Sequence, residues 1–128
     1  MTPGEVQEWL DAYVAAWKSN DATAIAALFT TDATYAYNPW GAPLQGVEAI
    51  VADWLREPDV PGSWDARYSP HLVAGNEATA IGETVYHEEG KTYSNLFALR
   101  FESGRCAEFV EWFMKHPKEA VAIDEQDG

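Results

Sequence analysis

The sequence predicts a single α+β domain in which three helices pack on an antiparallel sheet. Apolar residues recur at helical spacing in the first half of the chain, whereas the second half alternates in the way that strands do. Short glycine-containing turns separate four strand-like segments of about ten residues each. The 128 residues, 47% of them hydrophobic, are enough to bury one core.

Three helices and one strand are predicted in the first half. Thr-Pro-Gly-Glu at 2–5 has the pattern of a capping box with proline at the first helical position, and it predicts the start of a long amphipathic helix. Asn20 or Asp21 is expected to cap a short second helix. A strand is predicted at 33–37, and the periodicity of apolar residues predicts a third helix at 47–56.

An antiparallel meander is predicted after Gly62. Pro70 has no backbone N–H to donate, so it indicates a sheet edge or a bulge. The domain is expected to span 1–116, and the acidic, polar tail at 117–128 is expected to have no fixed structure. The four strands of the meander are predicted at 64–74, 77–87, 91–101 and 105–113.

The composition excludes several classes of partner. A net charge of -13 repels phosphate backbones and anionic membranes, so no nucleic-acid or membrane partner is expected, and the ligand should be neutral or cationic. Cys106 is the only cysteine, which excludes an intrachain disulfide and a Cys-based zinc site. The N-terminal segment lacks a signal-peptide pattern and no stretch approaches about 18 apolar residues, so a cytoplasmic location is expected.

Counting residues across the turns predicts which side chains share a face of the sheet. With three-residue loops at the last two turns, Glu111 lies opposite Asn95, and Asn95 lies opposite Glu83. A two-residue Gly-Asn turn then places Glu83 opposite Tyr68. A two-residue loop at either of the last two turns would instead send Glu83 or Asn95 to the opposite face. The row is expected to lie under the helices among Phe97, Leu99, Phe109, Phe113, Ile81 and Val85.

One face of the sheet is therefore expected to enclose two carboxylates and an amide. Apolar surroundings raise the pKa of a carboxyl group, and a second carboxylate raises it further, toward the range useful for proton transfer near neutral pH. Glu111 and Glu83, bridged by Asn95, are the candidate acid/base pair. The opposite face, which suits solvent or a second subunit, is expected to carry Arg100, Glu108, Thr84 and Trp112.

Five short segments carry a family resemblance. They are Glu5-Val6-Gln7, the Ala-Tyr-Val around Tyr13, Ala-Leu-Phe-Thr-Thr-Asp-Ala-Thr at 27–34, Asn-Pro-Trp-Gly at 38–41 and Leu-Arg-Phe-Glu-Ser-Gly-Arg at 99–105. Together with the order of elements to about residue 114, they resemble the nuclear-transport-factor-2-like (NTF2-like) superfamily, in its branch of SnoaL-like polyketide cyclases and ketosteroid isomerases. The resemblance implies a cone-shaped, cystatin-like fold in which three helices pack on a curved antiparallel sheet around an internal pocket. It also implies that the protein often forms a homodimer through the outer sheet face.

The resemblance transfers only some functional residues. Tyr13 stands where the isomerases keep an oxyanion-hole tyrosine. Asn38 replaces their general-base aspartate and cannot accept a proton as a base, and Phe97 replaces their second oxyanion donor. The usual ketosteroid isomerase mechanism is therefore not expected. In the cyclases the acid/base aspartate lies on the last strand, in a context that matches Glu111-Trp112.

Further aromatic and polar side chains are candidates for lining the pocket. Each has a structural alternative, because an aromatic residue on an apolar stripe is more often part of the core. Trp40, next to Pro39 and Gly41 in a loop, is the candidate lid. The spacing of the three histidines matches no metal-binding motif, so no metal and no cofactor is expected. The ligand-binding candidates are Asn38, Trp40, Trp17, Tyr35, Trp54, Tyr68, Phe97, Phe109 and Phe113.

Three functions are consistent with this pattern. The first is a cofactor-free enzyme that isomerises, cyclises, hydrates or dehydrates a small, largely apolar organic molecule. In that enzyme Glu111 moves the proton, Glu83 or Asn95 orients it, and Tyr13 donates to developing negative charge. The second is a non-catalytic dimeric module that binds a ligand, and the third is a protein-interaction module that uses the outer sheet face around Trp112.

Overall fold

The computed structural model of the protein describes residues 1–117. All of the predicted tail except Pro117 lies outside the described residues. Within the described part of the chain, no helix is long and apolar enough to cross a membrane. The elements are α1 (Pro3–Ser19), α2 (Ala22–Ala26), β1 (Phe29–Ala36), β2 (Leu44–Gln45), α3 (Val47–Arg56), β3 (Trp64–Ala74), β4 (Glu77–Tyr86), β5 (Lys91–Glu102) and β6 (Arg105–Lys115).

The helix starts follow the capping residues. The Thr2 hydroxyl accepts a hydrogen bond from the Glu5 backbone N–H at 3.1 Å, and the Glu5 carboxylate accepts one from the Thr2 N–H at 2.9 Å. This capping box confirms the predicted start of α1. Asp21 caps α2 through the N–H groups of its first turn, whereas Asn20 ends α1 in the left-handed conformation.

The strands form one open sheet with the order β2-β1-β6-β5-β4-β3. The predicted antiparallel meander of β3 to β6 is confirmed, and β1 joins it by pairing in parallel with β6. β1 begins at Phe29, four residues before the predicted 33–37. The register of β1 against β6 shifts between Phe29 and Thr34. The polar residues that follow Phe29 do not alternate with apolar ones, so the sequence pattern does not indicate the first part of this strand.

An aromatic core lies between the helices and the concave face of the sheet. Tyr35 stacks on Phe109 with ring centroids 4.2 Å apart, and Phe109 contacts Phe97 at 4.7 Å. The Trp9 indole N–H donates to the Leu28 carbonyl at 3.0 Å and ties α1 to the start of β1. The largest fully buried side chains are Phe29, Phe97, Phe101, Phe109, Leu10, Ile25, Ile50 and Val6.

The predicted faces of β4 are wrong because the turn between β4 and β5 is longer than predicted. The turn has four residues, 87–90, instead of three, and Tyr86 pairs with Lys91. Glu83 therefore lies opposite Ser94, not Asn95. Because neighbouring residues of a strand point to opposite faces, this one-residue shift reverses every side chain of β4 relative to β5. Contrary to the prediction, Glu83, Ile81 and Val85 lie on the outer face and Thr84 lies on the inner face.

The pairing of the other two hairpins also differs from the prediction, but Tyr68 and Glu111 stay on the predicted inner face. Between β5 and β6 the loop has two residues and a bulge follows, so Glu111 pairs with Phe97 instead of Asn95 but stays on the inner face. Between β3 and β4 the two-residue Gly-Asn turn is confirmed, and so is the bulge at Pro70. That bulge places Tyr68 opposite Gly82 and not opposite Glu83 as predicted. This one-residue shift offsets the one between β4 and β5, so Tyr68 stays on the inner face.

Gly82 is the position where β3 lies too close to β4 for a side chain. A Cβ atom there would overlap the Arg67 carbonyl oxygen and would lie 2.6 Å from Cδ1 of Tyr68. The Tyr68 ring therefore occupies the space that a larger residue would need.

Gly82→Ala should lower the free energy of unfolding by about 1–3 kcal/mol, because the added methyl group overpacks a filled site. Urea unfolding of the two proteins measures this difference. Gly4→Ala is the matched control: its Cβ would meet only the Thr2 hydroxyl, at 3.8 Å, inside a helix. That substitution should be neutral or stabilising by up to about 1 kcal/mol. Equal stability of Gly82→Ala and the wild type would contradict this account of the site.

Candidate functional site

A cavity of about 550 Å³ opens between the helices and the concave face of the sheet. Trp17 from α1, Trp54 from α3 and Phe113 from β6 form part of its aromatic wall. Its lining also includes two kinds of polar group. The more interior ones are Tyr13, Tyr35, Tyr68, Thr84, Asn95 and Glu111, and the charged ones around the opening are Asp53, Arg56, Glu57, Asp59 and Glu89.

Glu111 is the carboxyl group inside this cavity. Its Oε2 accepts a hydrogen bond from the Asn95 side-chain N–H at 2.7 Å, and Oε1 accepts none from the described residues. Burial raises the pKa of the Glu111 carboxyl to about 7, although the hydrogen bond from Asn95 opposes the rise. Both the protonated and the ionised forms are therefore populated near neutral pH.

Tyr13 and Tyr35 place hydroxyl groups at the centre of the cavity wall. Their oxygens are 2.9 Å apart, and both side chains are buried. Burial raises both pKa values well above the usual range, and the Glu111 charge adds to the rise. Two neutral hydroxyls that share one hydrogen bond leave one O–H proton for another acceptor. The pair can therefore donate a hydrogen bond to a ligand oxygen.

Two hydrogen bonds hold acidic side chains at the opening. The Trp17 indole N–H donates to Asp59 at 3.0 Å, and the Tyr37 hydroxyl donates to Asp53. Asp53 also forms an ion pair with Arg56 at 3.1 Å. The opening thus carries four carboxylates and one guanidinium among the described residues, which favours a neutral or cationic ligand end.

The structure brings most of the predicted site residues together. The cavity lining includes the predicted catalytic residues Glu111, Tyr13 and Asn95. Phe97 and Phe109 lie behind this lining as fully buried core residues. Their roles in catalysis or binding stay predictions. The predicted ligand-binding residues that line the cavity are Trp17, Tyr35, Trp54, Tyr68 and Phe113.

Three predicted site residues lie elsewhere. Glu83 faces outward because of the longer turn after β4. The Asn38 side chain accepts hydrogen bonds from the backbone N–H groups of Trp40 and Gly41, so its own loop occupies it. Trp40 is 84% exposed in that loop and does not contribute to the cavity wall.

Sequence reasoning missed several lining residues. The sequence predicts a loop after β4 that is one residue too short, and this places Thr84 on the outer face. In the structure Thr84 and Tyr86 both lie on the inner face. Tyr93 lies two residues before Asn95, so strand alternation could have indicated it. Asp53 and Asp59 carry no local pattern, since their positions depend on how α3 and the following loop fold over the sheet. Within residues 1–117, no group of three or more His, Cys, Asp or Glu side chains could hold a metal ion.

Residues 10–109 match the family model of the SnoaL-like domain. The matched segment runs from within α1 into β6 and includes Tyr13 and Asn95. Glu111 lies two residues beyond its end. No curated protein matches the sequence.

Three solved structures are similar to this chain. An NTF2-like protein of unknown function from Burkholderia xenovorans LB400 is 21% identical with a TM-score of 0.72, over 96% of this chain and 92% of that one. A candidate ketosteroid isomerase from Kribbella flavida DSM 17836 is 12% identical with a TM-score of 0.70, over 96% and 87%. An LEH-like epoxide hydrolase from M. tuberculosis is 14% identical with a TM-score of 0.66, over 88% and 84%. These likenesses confirm the predicted cone-shaped NTF2-like fold.

Glu111→Gln should change the pH dependence of stability. Because folding raises the Glu111 pKa from 4.5 to about 7, the folded state binds more protons between these values. The wild type should therefore lose stability relative to Glu111→Gln as the pH rises through this window, by about 3 kcal/mol in total. Urea unfolding at a series of pH values measures the difference.

Glu83→Gln is the matched control, because it removes one carboxylate from the exposed outer face and makes the same change in net charge. If the stability difference between Glu111→Gln and the wild type stayed constant from pH 4 to pH 8, the raised pKa of Glu111 would be refuted.

Proposed function

Because the chain belongs to the SnoaL-like domain family, we propose that its cavity binds a small organic molecule and catalyses acid/base chemistry on it. Glu111 is the proton acceptor and donor, and the hydroxyl pair of Tyr13 and Tyr35 stabilises negative charge on the substrate. The substrate is largely apolar, because aromatic rings form much of the wall.

The observation that carries this proposal is a carboxyl group with a pKa of about 7 inside a cavity of about 550 Å³. Cavities of roughly 300–1,000 Å³ hold small organic molecules. A general base is most effective when its pKa lies near the working pH, because it is then partly ionised and still basic. Glu111 meets both conditions.

The proposed reaction moves a proton within the bound molecule. The free Oε1 of ionised Glu111 takes a proton from a carbon atom next to a carbonyl group. The C–H electron pair shifts toward the carbonyl, and the spare O–H of the Tyr13–Tyr35 pair donates to the oxygen that becomes negative. Glu111, now protonated, returns the proton to a different atom. The product is an isomer, or a dehydrated molecule if the returned proton goes to a leaving hydroxyl.

The opening adds a preference for charge. Asp53, Glu57, Asp59 and Glu89 outnumber the single Arg56 among the lining residues. An anionic substituent at this end would be repelled, whereas an amine or a neutral polar group would be accepted. The substrate is therefore proposed to be a neutral or cationic molecule.

Proton abstraction can be tested with 5-nitrobenzisoxazole, a flat apolar probe with one acidic C–H bond. A base that removes this proton forms a nitrile, breaks the N–O bond and releases a coloured phenolate. The wild type should accelerate the reaction with a rate that rises through about pH 7, as Glu111 ionises. Glu111→Gln should lower the rate by at least about 100-fold.

Glu83→Gln, on the outer face, should keep the wild-type rate with the same probe. A wild type that leaves the background rate unchanged would refute the proposal, and so would a Glu111→Gln variant as fast as the wild type. Either result would favour a non-catalytic binding module.

We also propose that the outer sheet face pairs two copies of the chain. Ile81, Leu96 and Trp112 are partly exposed and form one row, since Ile81 pairs with Leu96 and Leu96 with Trp112. Trp112→Glu should convert a dimer to a monomer in sedimentation experiments, because a charge cannot be buried unpaired. Trp40→Glu, at an exposed tryptophan outside this row, should leave the dimer intact. A monomeric wild type would contradict the proposal.

A further inference from the structure

We propose that Tyr68 and Thr84 are positioning residues that hold the Asn95 amide in one orientation, with its N–H group toward Glu111. This inference rests on the proposed function, because it concerns how the same carboxyl group is prepared for proton transfer. Neither residue needs to touch the substrate for this role, since both act through Asn95.

Four side chains from four neighbouring strands form one chain of hydrogen bonds. The hydroxyl oxygens of Tyr68 on β3 and Thr84 on β4 are 2.6 Å apart. Thr84 donates to Asn95 Oδ1 on β5 at 2.9 Å, and Asn95 Nδ2 donates to Glu111 Oε2 on β6 at 2.7 Å. The chain crosses the concave face from the edge strand β3 to Glu111.

Counting protons fixes the direction of every bond in this chain. Thr84 has one hydroxyl proton and uses it on the Asn95 oxygen, so Tyr68 must be the donor in its bond with Thr84. Asn95 is then left with its N–H groups toward Glu111. The reversed amide would place the Asn95 oxygen against an ionised carboxylate, which repels it. All three bonds therefore point toward Glu111.

The burial of these groups shows that the chain is tightly built. Apart from aromatic residues, the buried polar residues among residues 1–117 are Thr84 and Asn95, 3% and 7% exposed. Burying a polar group is costly unless it is hydrogen-bonded. The side chains of both residues form hydrogen bonds within this series. Gly82 permits the first link, because the Tyr68 ring fills the space of the absent side chain and reaches Thr84 two residues further along β4.

No other group of the cavity provides the hydrogen bond that Asn95 gives. Apart from Glu111, the titratable lining groups of α1, of the strands and of the residue that follows β1 are phenols. Asp53 is paired with Arg56, Asp59 accepts from Trp17, and Glu57 and Glu89 are exposed. Among residues 1–117, only the bond from Asn95 lowers the pKa of Glu111. The six phenols are Tyr13, Tyr35, Tyr37, Tyr68, Tyr86 and Tyr93.

The test measures the pKa of Glu111 directly, by ¹³C NMR of protein labelled at the glutamate carboxyl carbons. The Glu111→Gln spectrum assigns the resonance. Thr84→Val keeps the shape of the side chain but removes its donor, so the amide can turn and the pKa of Glu111 should rise by about one pH unit. Thr84→Ser restores a hydroxyl and should return the pKa to the wild-type value. Tyr68→Phe should raise it less, because Thr84 still donates.

The outcomes separate this inference from the proposed function. An unchanged pKa in Thr84→Val would overturn the positioning role, and so would equal shifts in Thr84→Val and Thr84→Ser, since a purely structural effect does not depend on the hydroxyl. If Thr84→Val fails to fold, an unchanged or lowered pKa in Tyr68→Phe overturns the role instead. None of these results bears on whether Glu111→Gln abolishes proton abstraction from the probe.

Discussion

A carboxyl group on an apolar sheet face must either be protonated or be supplied with hydrogen bonds, and this constraint shapes the structure around Glu111. Burial raises its pKa to about 7, and Asn95 is the one group of the described part of the chain that opposes the rise. Asn95 is itself buried, so it needs a partner of its own, which is Thr84. Thr84 in turn accepts from Tyr68. The polar side chains of three neighbouring strands are thus linked by hydrogen bonds to one ionisable residue.

Strand β6 carries both part of the aromatic core and the carboxyl group of the cavity. Phe109 and Glu111 are alternate residues of β6 on the inner face, so the strand continues the aromatic core directly into the carboxyl group. Phe109 is held by stacking on Tyr35, whose hydroxyl also pairs with Tyr13. Because packed aromatic side chains have little freedom to move, the hydroxyl pair and the carboxyl group keep a fixed relation.

The sequence predicts the elements better than the register between them. Capping residues and apolar periodicity locate the helices, and turn glycines locate β3 to β6, because these signals are local. The register depends on loop lengths and bulges, which tertiary packing decides. At β6 a shorter loop and a bulge shift the pairing by an even number, so Glu111 keeps its face. At β4 a single extra turn residue moves Glu83 outward and Thr84 inward.

Proton transfer and simple recognition of a cation place different demands on the Glu111 carboxyl group. Recognition of a positively charged ligand is best served by a carboxylate that stays ionised, which requires a pKa well below 7. Asn95 instead donates a neutral hydrogen bond, and the pKa stays near 7. A carboxyl group that is half protonated at neutral pH binds a cation weakly. It exchanges a proton readily in both directions, which an isomerase or a dehydratase requires within one catalytic cycle.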